Sequence, residues 1–331
     1  MTRNHRRRQR RRDSESYTDM ATVHESKADD SLHCAAEMQA EMQAEESQLP
    51  SKPTIVIMGM TGTGKSTFIS HLTDDEVAVG HGLQSCTTEI NRYWIVRSTN
   101  GQRICLIDTP GFDDTNKTDE AVLFKIIAVL CSIYADPGLN ICGIVYVHRI
   151  TDTRMSGSSI KSVRTFEKLC GRDSFRHVTL ATSMWDHLDD SNQMIASERE
   201  HSLQSNPEFF GNLMREGAEM MRFYGNKKSA EEVIERVLGR TQKMVMKIQK
   251  ELADDKLCLN ETEVGEFLLG ENKADISKLN RDLQDLQQQL VEAEEEGEGD
   301  LMTTIMEQEK DVTELIRESE IQKLGYGLNL E

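Results

Sequence analysis

Several common kinds of protein are excluded by what this sequence lacks. It has no apolar stretch of about eighteen residues or more, which a membrane-spanning helix requires. Its basic start is not followed by an apolar segment, so no secretory signal is recognisable. Its seven cysteines are an odd number without a C-x-x-C pair, which favours a reducing compartment over a disulfide scaffold. We therefore expect a soluble, cytoplasmic protein.

The charge of the chain argues against a further class, the proteins that bind nucleic acid without sequence specificity. Its 331 residues have a formal net charge of −18, which argues against nonspecific nucleic-acid binding by the body of the protein. Hydrophobic residues make up 37% of the chain, enough for one well-packed core but few for the whole length. The length leaves room for roughly two domains.

The first segment, residues 1–50, has the composition of a disordered tail. Seven arginines lie between Arg3 and Arg12, and the polar run from Asp13 to Gln48 has almost no core-forming residues. Two interpretations of the arginine run stay open. Either it is a nuclear-import address or a contact for acidic lipid or RNA, or it is a solvated tail without a role.

The most informative stretch is Thr54 to Ser70. Its β-branched run, Ile55 to Met58, is typical of a buried parallel strand. The next eight residues are Gly-Met-Thr-Gly-Thr-Gly-Lys-Ser, a full match to the phosphate-binding pattern G-x-x-x-x-G-K-[ST]. Glycines let successive backbone N–H groups turn toward a phosphate, and the following helix directs its positive end at the same anion. The predicted nucleotide contacts in this stretch are Gly59, Thr61, Gly62, Thr63, Gly64, Lys65, Ser66 and Thr67.

Two side chains of this loop have predicted chemical roles. Lys65 would reach the β- and γ-phosphates, and the Ser66 hydroxyl would bind Mg²⁺. The alternative is a glycine-rich turn without a ligand. The complete match in a strand–loop–helix context favours a nucleotide phosphate site.

A second motif follows where a buried strand ends in Asp-Thr-Pro-Gly at residues 108–111. The Asp108 carboxylate would hold Mg²⁺ through a water, and the Gly111 N–H can approach a γ-phosphate without interference from a Cβ atom. Between the two motifs, a threonine can place its hydroxyl on Mg²⁺, and we favour Thr87 over its neighbour Thr88. In this order the segments are the parts of a nucleotide switch. The predicted metal ligands are Ser66, Thr87 and Asp108, and the predicted catalytic residues are Lys65, Thr87 and Gly111.

Strand and helix patterns alternate from residue 54 to residue 252, where we place one domain. Ile90–Arg97 and Arg103–Ile107 are predicted to form a hairpin that turns at Asn100-Gly101. Further predicted elements are helices over Ala121–Tyr134 and Ser159–Leu169, and strands over Ile141–Val147, His177–Thr182 and Arg222–Gly225. This order indicates an α/β fold, a mostly parallel sheet with helices on both faces and one antiparallel edge hairpin.

The three motifs GMTGTGKS, SCTT and DTPGFDD together resemble those of the septin-like branch of P-loop GTPases. The sequence is most similar to the immune-associated (GIMAP-type) GTPases and the chloroplast-import receptor GTPases, over about residues 54 to 250. The resemblance implies a G domain that binds GTP and GDP with Mg²⁺. It also implies a homodimer, because G domains of this branch often pair across the nucleotide face.

The base-recognition motif departs from the family pattern, which is Asn/Thr-Lys-x-Asp after the fifth strand. Here that place is Thr182-Ser183-Met184-Trp185-Asp186. Asp186 can accept hydrogen bonds from guanine N1–H and N2–H₂, whereas Met184 replaces the lysine and supplies no charge. Trp185 either stacks on the base or belongs to the core. Asn226 is the candidate for the last base-contacting loop.

Catalysis is a second departure. The residue after Asp-x-x-Gly, a water-orienting glutamine in many small GTPases, is Phe112 here. Hydrolysis would then be slow unless a group arrives from elsewhere in the fold or from a dimer partner. His148, Arg149 and Arg154 flank a polar loop and are candidates, with ordinary solvated surface residues as the alternative.

The composition shifts beyond Asp254, and residues 255–325 are predicted to form a helical extension. Six apolar residues spaced three and four apart form a short heptad seam: Ile276, Leu279, Leu283, Leu286, Leu290 and Ala293. A second helix, Leu301 to Leu324, has Ile305, Val312 and Leu315 on one face. The pair is either a hairpin folded on itself or on the G domain, or an intermolecular coiled coil that contacts a protein partner.

Together these features predict a guanine-nucleotide switch with slow, dimer-dependent GTP hydrolysis. One alternative is a non-hydrolysing scaffold that functions through its coiled coil. A small-molecule kinase is a third hypothesis, but the sequence shows no evident arginine-rich lid or acceptor site for it.

Overall fold

The structure is a computed structural model, and it describes residues 51–74, 77, 91–97, 100–112, 119–240, 243–297 and 299–325. The predicted tail over residues 1–50 and the predicted switch threonine Thr87 lie outside the described residues.

A six-stranded sheet forms the centre of the fold, as predicted. Its strands, in chain order, are β1 (Lys52–Met58), β2 (Asn91–Val96), β3 (Arg103–Asp108), β4 (Leu139–Arg149), β5 (Val178–Ser183) and β6 (Glu219–Arg222). Their order across the sheet is β2-β3-β1-β4-β5-β6. Only the edge strand β2 is antiparallel to its neighbour β3, and the other described pairs are parallel. The predicted edge hairpin is therefore confirmed.

Helices connect the strands and follow the last one. They are α1 (Lys65–Ser70), α2 (Asp119–Ala135), α3 (Gly157–Cys170), α4 (Asp190–Ser205), α5 (Gly211–Arg215), α6 (Lys227–Leu238), α7 (Lys247–Gln249), α8 (Glu263–Glu296) and α9 (Gly299–Gly325). Shorter 3₁₀ turns span Arg172–His177, Trp185–His187 and Leu259–Glu261, and a π-helical turn, Lys250–Asp254, follows α7.

Strand β1 explains why helices cover both faces of the sheet. Val56 and Met58 pack with residues of α2 and α3 on one face. Ile55 and Ile57 pack with residues of α1 and α6 on the other. All four side chains are fully buried, as expected for a parallel strand between two helical layers.

The last strand was predicted over Arg222–Gly225, and this position is wrong. Strand β6 is Glu219–Arg222, and Gly225 lies in the loop after it with φ +64°. All four residues of β6 are only half-buried, because the strand lies at the sheet edge. Such a strand carries little hydrophobic periodicity, so its bounds are poorly defined by sequence.

The two C-terminal helices form a hairpin within the chain. Asn272 of α8 donates a hydrogen bond to the carbonyl of Ser319 in α9 at 3.0 Å, and Gln287 donates to Glu309 at 3.0 Å, so the helices run antiparallel. Helix α8 begins in the core of the α/β fold, where Val264 is buried with residues of the sheet. The domain boundaries and an intermolecular coiled coil stay predictions.

The seam of this hairpin follows the predicted spacing in α8. Its six predicted positions are buried or half-buried, between mostly exposed neighbours. In α9, Ile305 is buried and Val312 is half-buried, but Leu315 is 49% exposed. Ile316 is half-buried instead, because the next seam position after Val312 is four residues further along α9 and not three. Within the described residues, no helix combines the length and apolarity needed to cross a membrane.

Candidate functional site

The predicted site residues that the structure describes gather at the carboxyl end of the parallel strands. The loop after β1, residues 59–64, lies between the ends of β3 and β4, which are the neighbours of β1 in the sheet. Ligands of open α/β sheets bind at this edge. Gly62 and Gly64 belong to the loop, and Thr67 follows in α1.

Gly59 begins this loop where only glycine fits. Its φ of +138° is a conformation that other residues rarely adopt. A Cβ atom built on Gly59 would also lie 2.3 Å from the carbonyl oxygen of Val147 in β4. The close packing of the loop against β4 therefore requires this glycine.

Lys65 is folded over the loop. Its Nζ donates to the carbonyl oxygens of Gly59 at 3.1 Å and Met60 at 2.8 Å, and only 6% of the residue is exposed. Thr63 closes the loop from inside, because its hydroxyl donates to Met60 O at 2.9 Å. The loop thus holds a buried ammonium group at the place where the phosphate-binding pattern predicts one.

Two of the predicted Mg²⁺ ligands meet. The Ser66 hydroxyl donates to Asp108 Oδ2 at 3.3 Å, although the residues are 42 positions apart. Asp108 ends β3 and is 1% exposed. A hydroxyl and a carboxylate are hard oxygen donors of the kind that Mg²⁺ prefers, and Mg²⁺ needs few protein ligands when phosphates supply others. No group of three or more His, Cys, Asp or Glu in the described ranges forms a metal cluster of its own.

The two phosphate-site loops are joined by backbone contacts. Thr61 N donates to Phe112 O at 3.0 Å, and Phe112 N donates to Gly59 O at 3.3 Å. A Cβ atom on Gly111 would lie 2.4 Å from Thr61 N. The structure thus shows why position 111 requires a glycine: this residue contacts the phosphate loop too closely to leave room for a Cβ atom. The sequence did not show this. Its predicted approach to a γ-phosphate stays a prediction.

On the base side, Asp186 has the accessibility of a ligand-binding group. Its side chain is 47% exposed. It lies beside the loop that precedes α6, since a Cβ atom on Gly225 would be 2.7 Å from Asp186 Oδ2. Asn226 caps α6 instead of standing free: its Oδ1 accepts from Ser229 N at 3.0 Å, and its Nδ2 donates to Tyr224 O at 3.3 Å. A base contact from Asn226 therefore stays a prediction that competes with this cap.

Trp185 belongs to the core and is not placed to stack on a base. It is 3% exposed, and its Nε1 donates to Thr182 Oγ1 at 2.9 Å. The Arg222 guanidinium lies 4.0 Å from its ring centroid, a cation–π distance. Arg222 also forms a bidentate ion pair with Glu200, with contacts of 2.6 to 3.1 Å.

Sequence reasoning missed Ser183. Its hydroxyl donates to Thr63 O at 2.7 Å and contacts His148 O at 3.4 Å, so it ties the end of β5 to the phosphate loop. The signal was present, because Ser183 occupies the Asn/Thr position of the base-recognition motif one residue before Met184.

Of the three basic candidates, Arg149 lies nearest to the phosphate loop. A Cβ atom on Gly62 would be 3.4 Å from its Nη1, while its Nε donates to Asp152. His148 is buried against Phe210, with ring centroids 5.5 Å apart, and burial lowers its pKa to about 4. It is therefore neutral at physiological pH. Arg154 is exposed.

Comparisons with known proteins identify a matching family model and several similar proteins. Residues 53–273 match the family model described as AIG1 family. Among curated proteins of Arabidopsis thaliana, the chain is similar to immune-associated nucleotide-binding protein 3, with 28% identity over 141 residues, 43% of this chain and 41% of that protein. It is also similar to immune-associated nucleotide-binding protein 7, with 26% identity over 184 residues, 54% of this chain and 57% of that protein. The chain spans about half the length of these curated relatives.

Solved structures of Toc33 from Arabidopsis thaliana are also similar. A dimerization-deficient mutant has a TM-score of 0.47 at 16% identity, covering 62% of this chain and 91% of that chain. The complex of Toc33 with GDP and Mg²⁺ has a TM-score of 0.45 at 16% identity, covering 64% and 93%.

Proposed function

The chain belongs to the AIG1 family, and from this premise we propose that it is a guanine-nucleotide switch that binds GTP and GDP with Mg²⁺. The observation that carries the proposal is the joined pair of loops at the carboxyl edge of the sheet. There Lys65 is buried over the phosphate loop, and Ser66 contacts Asp108. The curated relatives are named as nucleotide-binding proteins, which supports the same class.

On the phosphate side, the loop would surround the β-phosphate with backbone N–H groups while Lys65 turns its ammonium from Gly59 O and Met60 O to the ligand. Ser66 and Asp108 would hold Mg²⁺, which neutralises charge on the phosphates. Thr87 would complete the metal site from the segment outside the described residues.

On the base side, guanine would be selected by Asp186. A carboxylate accepts hydrogen bonds from guanine N1–H and N2–H₂, whereas adenine offers neither donor in that arrangement. The exposed side chain beside Gly225 is accessible to such a ligand. Met184 would cover the base with its thioether but without a charge, since it takes the place of the family's lysine.

For hydrolysis, we propose that pairing of two G domains supplies what one chain lacks. Phe112 cannot orient water, and it is 6% exposed and fixed by two backbone hydrogen bonds to the first loop. Arg149 is the basic group beside Gly62, so in a pair it can neutralise charge at its own site or at the facing one. The neutral, buried His148 is unsuited to that role.

The test is single-turnover GTP hydrolysis across about a hundredfold range of protein concentration, in which an arginine contribution is worth roughly 10³ or more in rate. We expect the rate per molecule to rise with concentration in the wild type and to stay low in Arg149→Ala. Arg154→Ala is the matched control, because this exposed arginine lies in the loop that follows β4, five residues after Arg149. A fast rate that does not change with concentration would overturn the pairing proposal.

The alternative function is a scaffold in which bound nucleotide orders an interaction surface without turnover. The observation that favours it is the helical hairpin, whose first helix begins in the core of the α/β fold with Val264 and Leu268. Such a hairpin can present a rigid surface to a protein partner. The same experiment separates the two functions, because a scaffold would bind GTP and hydrolyse none at any concentration.

A further inference from the structure

An ion pair between α4 and β6 lies next to the base-recognition motif. Glu200, in α4, is 9% exposed, and Arg222, the last residue of β6, donates to both of its carboxylate oxygens. Arg222 also donates to the Ser197 hydroxyl, three residues earlier in α4, at 3.3 Å. The pair therefore fixes this part of α4 relative to the edge strand of the sheet.

Three side-chain contacts connect the pair to the motif. The Thr182 hydroxyl lies within hydrogen-bonding distance of Glu200 Oε1, at 3.3 Å, and it accepts a hydrogen bond from Trp185 Nε1 at 2.9 Å. The Arg222 guanidinium lies 4.0 Å from the centroid of the Trp185 ring. Both motif residues are buried, so water weakens these contacts little. The next residue along the chain is Asp186, the predicted guanine contact.

The same cluster reaches the second loop of the base site, which follows β6. The Tyr224 ring packs near the Trp185 ring, with centroids 6.4 Å apart and planes inclined by 53°. A Cβ atom on the next residue, Gly225, would lie 2.7 Å from Asp186 Oδ2. The loops after β5 and β6 are therefore packed together at two points, one of which is the Asp186 carboxylate.

The backbone of the motif is strained at Met184, the residue before Trp185. Its φ of +64° and ψ of +29° place it in the left-handed region, which residues with a Cβ atom adopt at a cost. Such a conformation persists where surrounding contacts hold it. On one side, Ser183 donates to Thr63 O at 2.7 Å, and on the other side Trp185 is held by the contacts described above. The direction of the following residues therefore depends on these contacts.

We propose that Glu200 and Arg222 are positioning residues that set guanine selectivity without touching the nucleotide. A partly buried ion pair adds little net stability, because desolvation offsets the attraction, but it can hold one conformation. Here the pair holds Trp185, and through it the orientation in which the Asp186 carboxylate accepts from both N1–H and N2–H₂ of guanine. This inference rests on the proposed function, since it requires Asp186 to bind guanine.

The experiment compares three ligands in competition titrations: GDP, inosine diphosphate and pyrophosphate, each with Mg²⁺. Inosine lacks the N2 amino group, so it removes one of the two hydrogen bonds to Asp186. The wild type should bind GDP at least about tenfold more tightly than inosine diphosphate, because the lost bond is to a charged group. Pyrophosphate has no base, and its affinity reports on the phosphate loop alone.

Two variants weaken the cluster in different places. Glu200→Gln keeps the shape of the side chain and an oxygen for Thr182, but it removes the charge that pairs with Arg222. Trp185→Phe removes the Nε1 donor and keeps an aromatic ring in the core. In both variants the preference for GDP over inosine diphosphate should fall by at least about threefold, while pyrophosphate affinity stays unchanged.

Glu235→Gln is the matched control. Glu235 lies in the last turn of α6, and Arg97 donates to both of its carboxylate oxygens, so the same substitution breaks the same kind of pair at a distance from the motif. This variant should keep the wild-type preference for GDP. Thermal unfolding of all three variants measures any loss of stability separately.

A purely structural role for the pair would lower the unfolding temperature of Glu200→Gln and leave its nucleotide preference at the wild-type value. That result, with an unchanged preference in Trp185→Phe, would overturn this inference alone. If Glu200→Gln does not fold, Trp185→Phe decides the question in the same way. Equal affinity of the wild type for GDP and inosine diphosphate would instead overturn the guanine assignment of Asp186, and this inference with it.

Discussion

Replacing Gly111 with alanine tests whether the two phosphate-site loops must touch. A Cβ atom there would lie 2.4 Å from Thr61 N, 2.5 Å from Thr61 Oγ1 and 2.6 Å from Thr61 Cα. Two of these three atoms are backbone, so no side-chain rotation relieves the clash. Ordinary contact begins near 3.4 Å, and the loops must therefore separate by about 1 Å.

The size of the effect follows from the hydrogen bonds between the loops. The bonds from Thr61 N to Phe112 O and from Phe112 N to Gly59 O measure 3.0 and 3.3 Å. A shift of about 1 Å places both beyond hydrogen-bonding distance. Each backbone bond is worth about 0.5 to 1.5 kcal/mol, so the free energy of unfolding should fall by about 1 to 3 kcal/mol. The same shift moves Asp108 relative to Ser66, and GDP affinity should fall by about tenfold to a hundredfold.

The assay combines urea denaturation with calorimetric titration of GDP in the presence of Mg²⁺. Gly157→Ala is the matched control, because a Cβ atom there meets nothing within 4 Å at the start of α3. The control should keep wild-type GDP affinity and unfold at the same or a slightly higher urea concentration. If Gly111→Ala retained wild-type stability and affinity, the inferred requirement for loop contact would be wrong.

Two further substitutions test the proposed site, and a third tests the ion pair between Arg222 and Glu200. Lys65→Ala should abolish GDP binding without unfolding, as circular dichroism and calorimetry would show, and unchanged affinity would remove the phosphate role of this lysine. Asp186→Asn should weaken guanine binding and reduce discrimination against xanthine in competition titrations, and an unaltered preference would contradict the base assignment. Arg222→Met should lower the free energy of unfolding by about 3 kcal/mol, because it leaves the buried Glu200 carboxylate without its ion-pair partner and with only the Thr182 hydroxyl as a donor. Adding Glu200→Gln should recover much of this loss in urea denaturation, and equal stability of the single and double variants would refute the pairing argument.

The parts of the fold that sequence predicted well depend on local patterns. Ile55 to Met58 is a run of apolar residues, and the loop that contains Gly59, Gly62 and Gly64 follows it directly in the chain. The seam of α8 is also local, since its spacing alone determines which side chains face α9. Neither prediction required knowledge of which distant segment lies alongside.

The predictions that failed or stayed incomplete depend on distant contacts. Strand β6 lies at the sheet edge with half-buried residues, so no periodic pattern marks its bounds. Asn226 was chosen for a base contact, whereas the structure uses its amide to cap α6. The contact of Gly111 with Thr61 joins positions that are 50 residues apart, and only the folded chain shows it.

The base-recognition motif, which lacks the family's lysine, is held in place by contacts that the sequence did not show. Ser183 fixes the start of this motif to Thr63 of the phosphate loop. Two residues on, Trp185 is held beneath the motif by Thr182 and by the guanidinium of Arg222. Asp186 therefore follows a segment that buried contacts fix relative to the phosphate loop. A base site held in this way needs Met184 only as an apolar cover, and its guanine selectivity would depend on the Asp186 carboxylate alone.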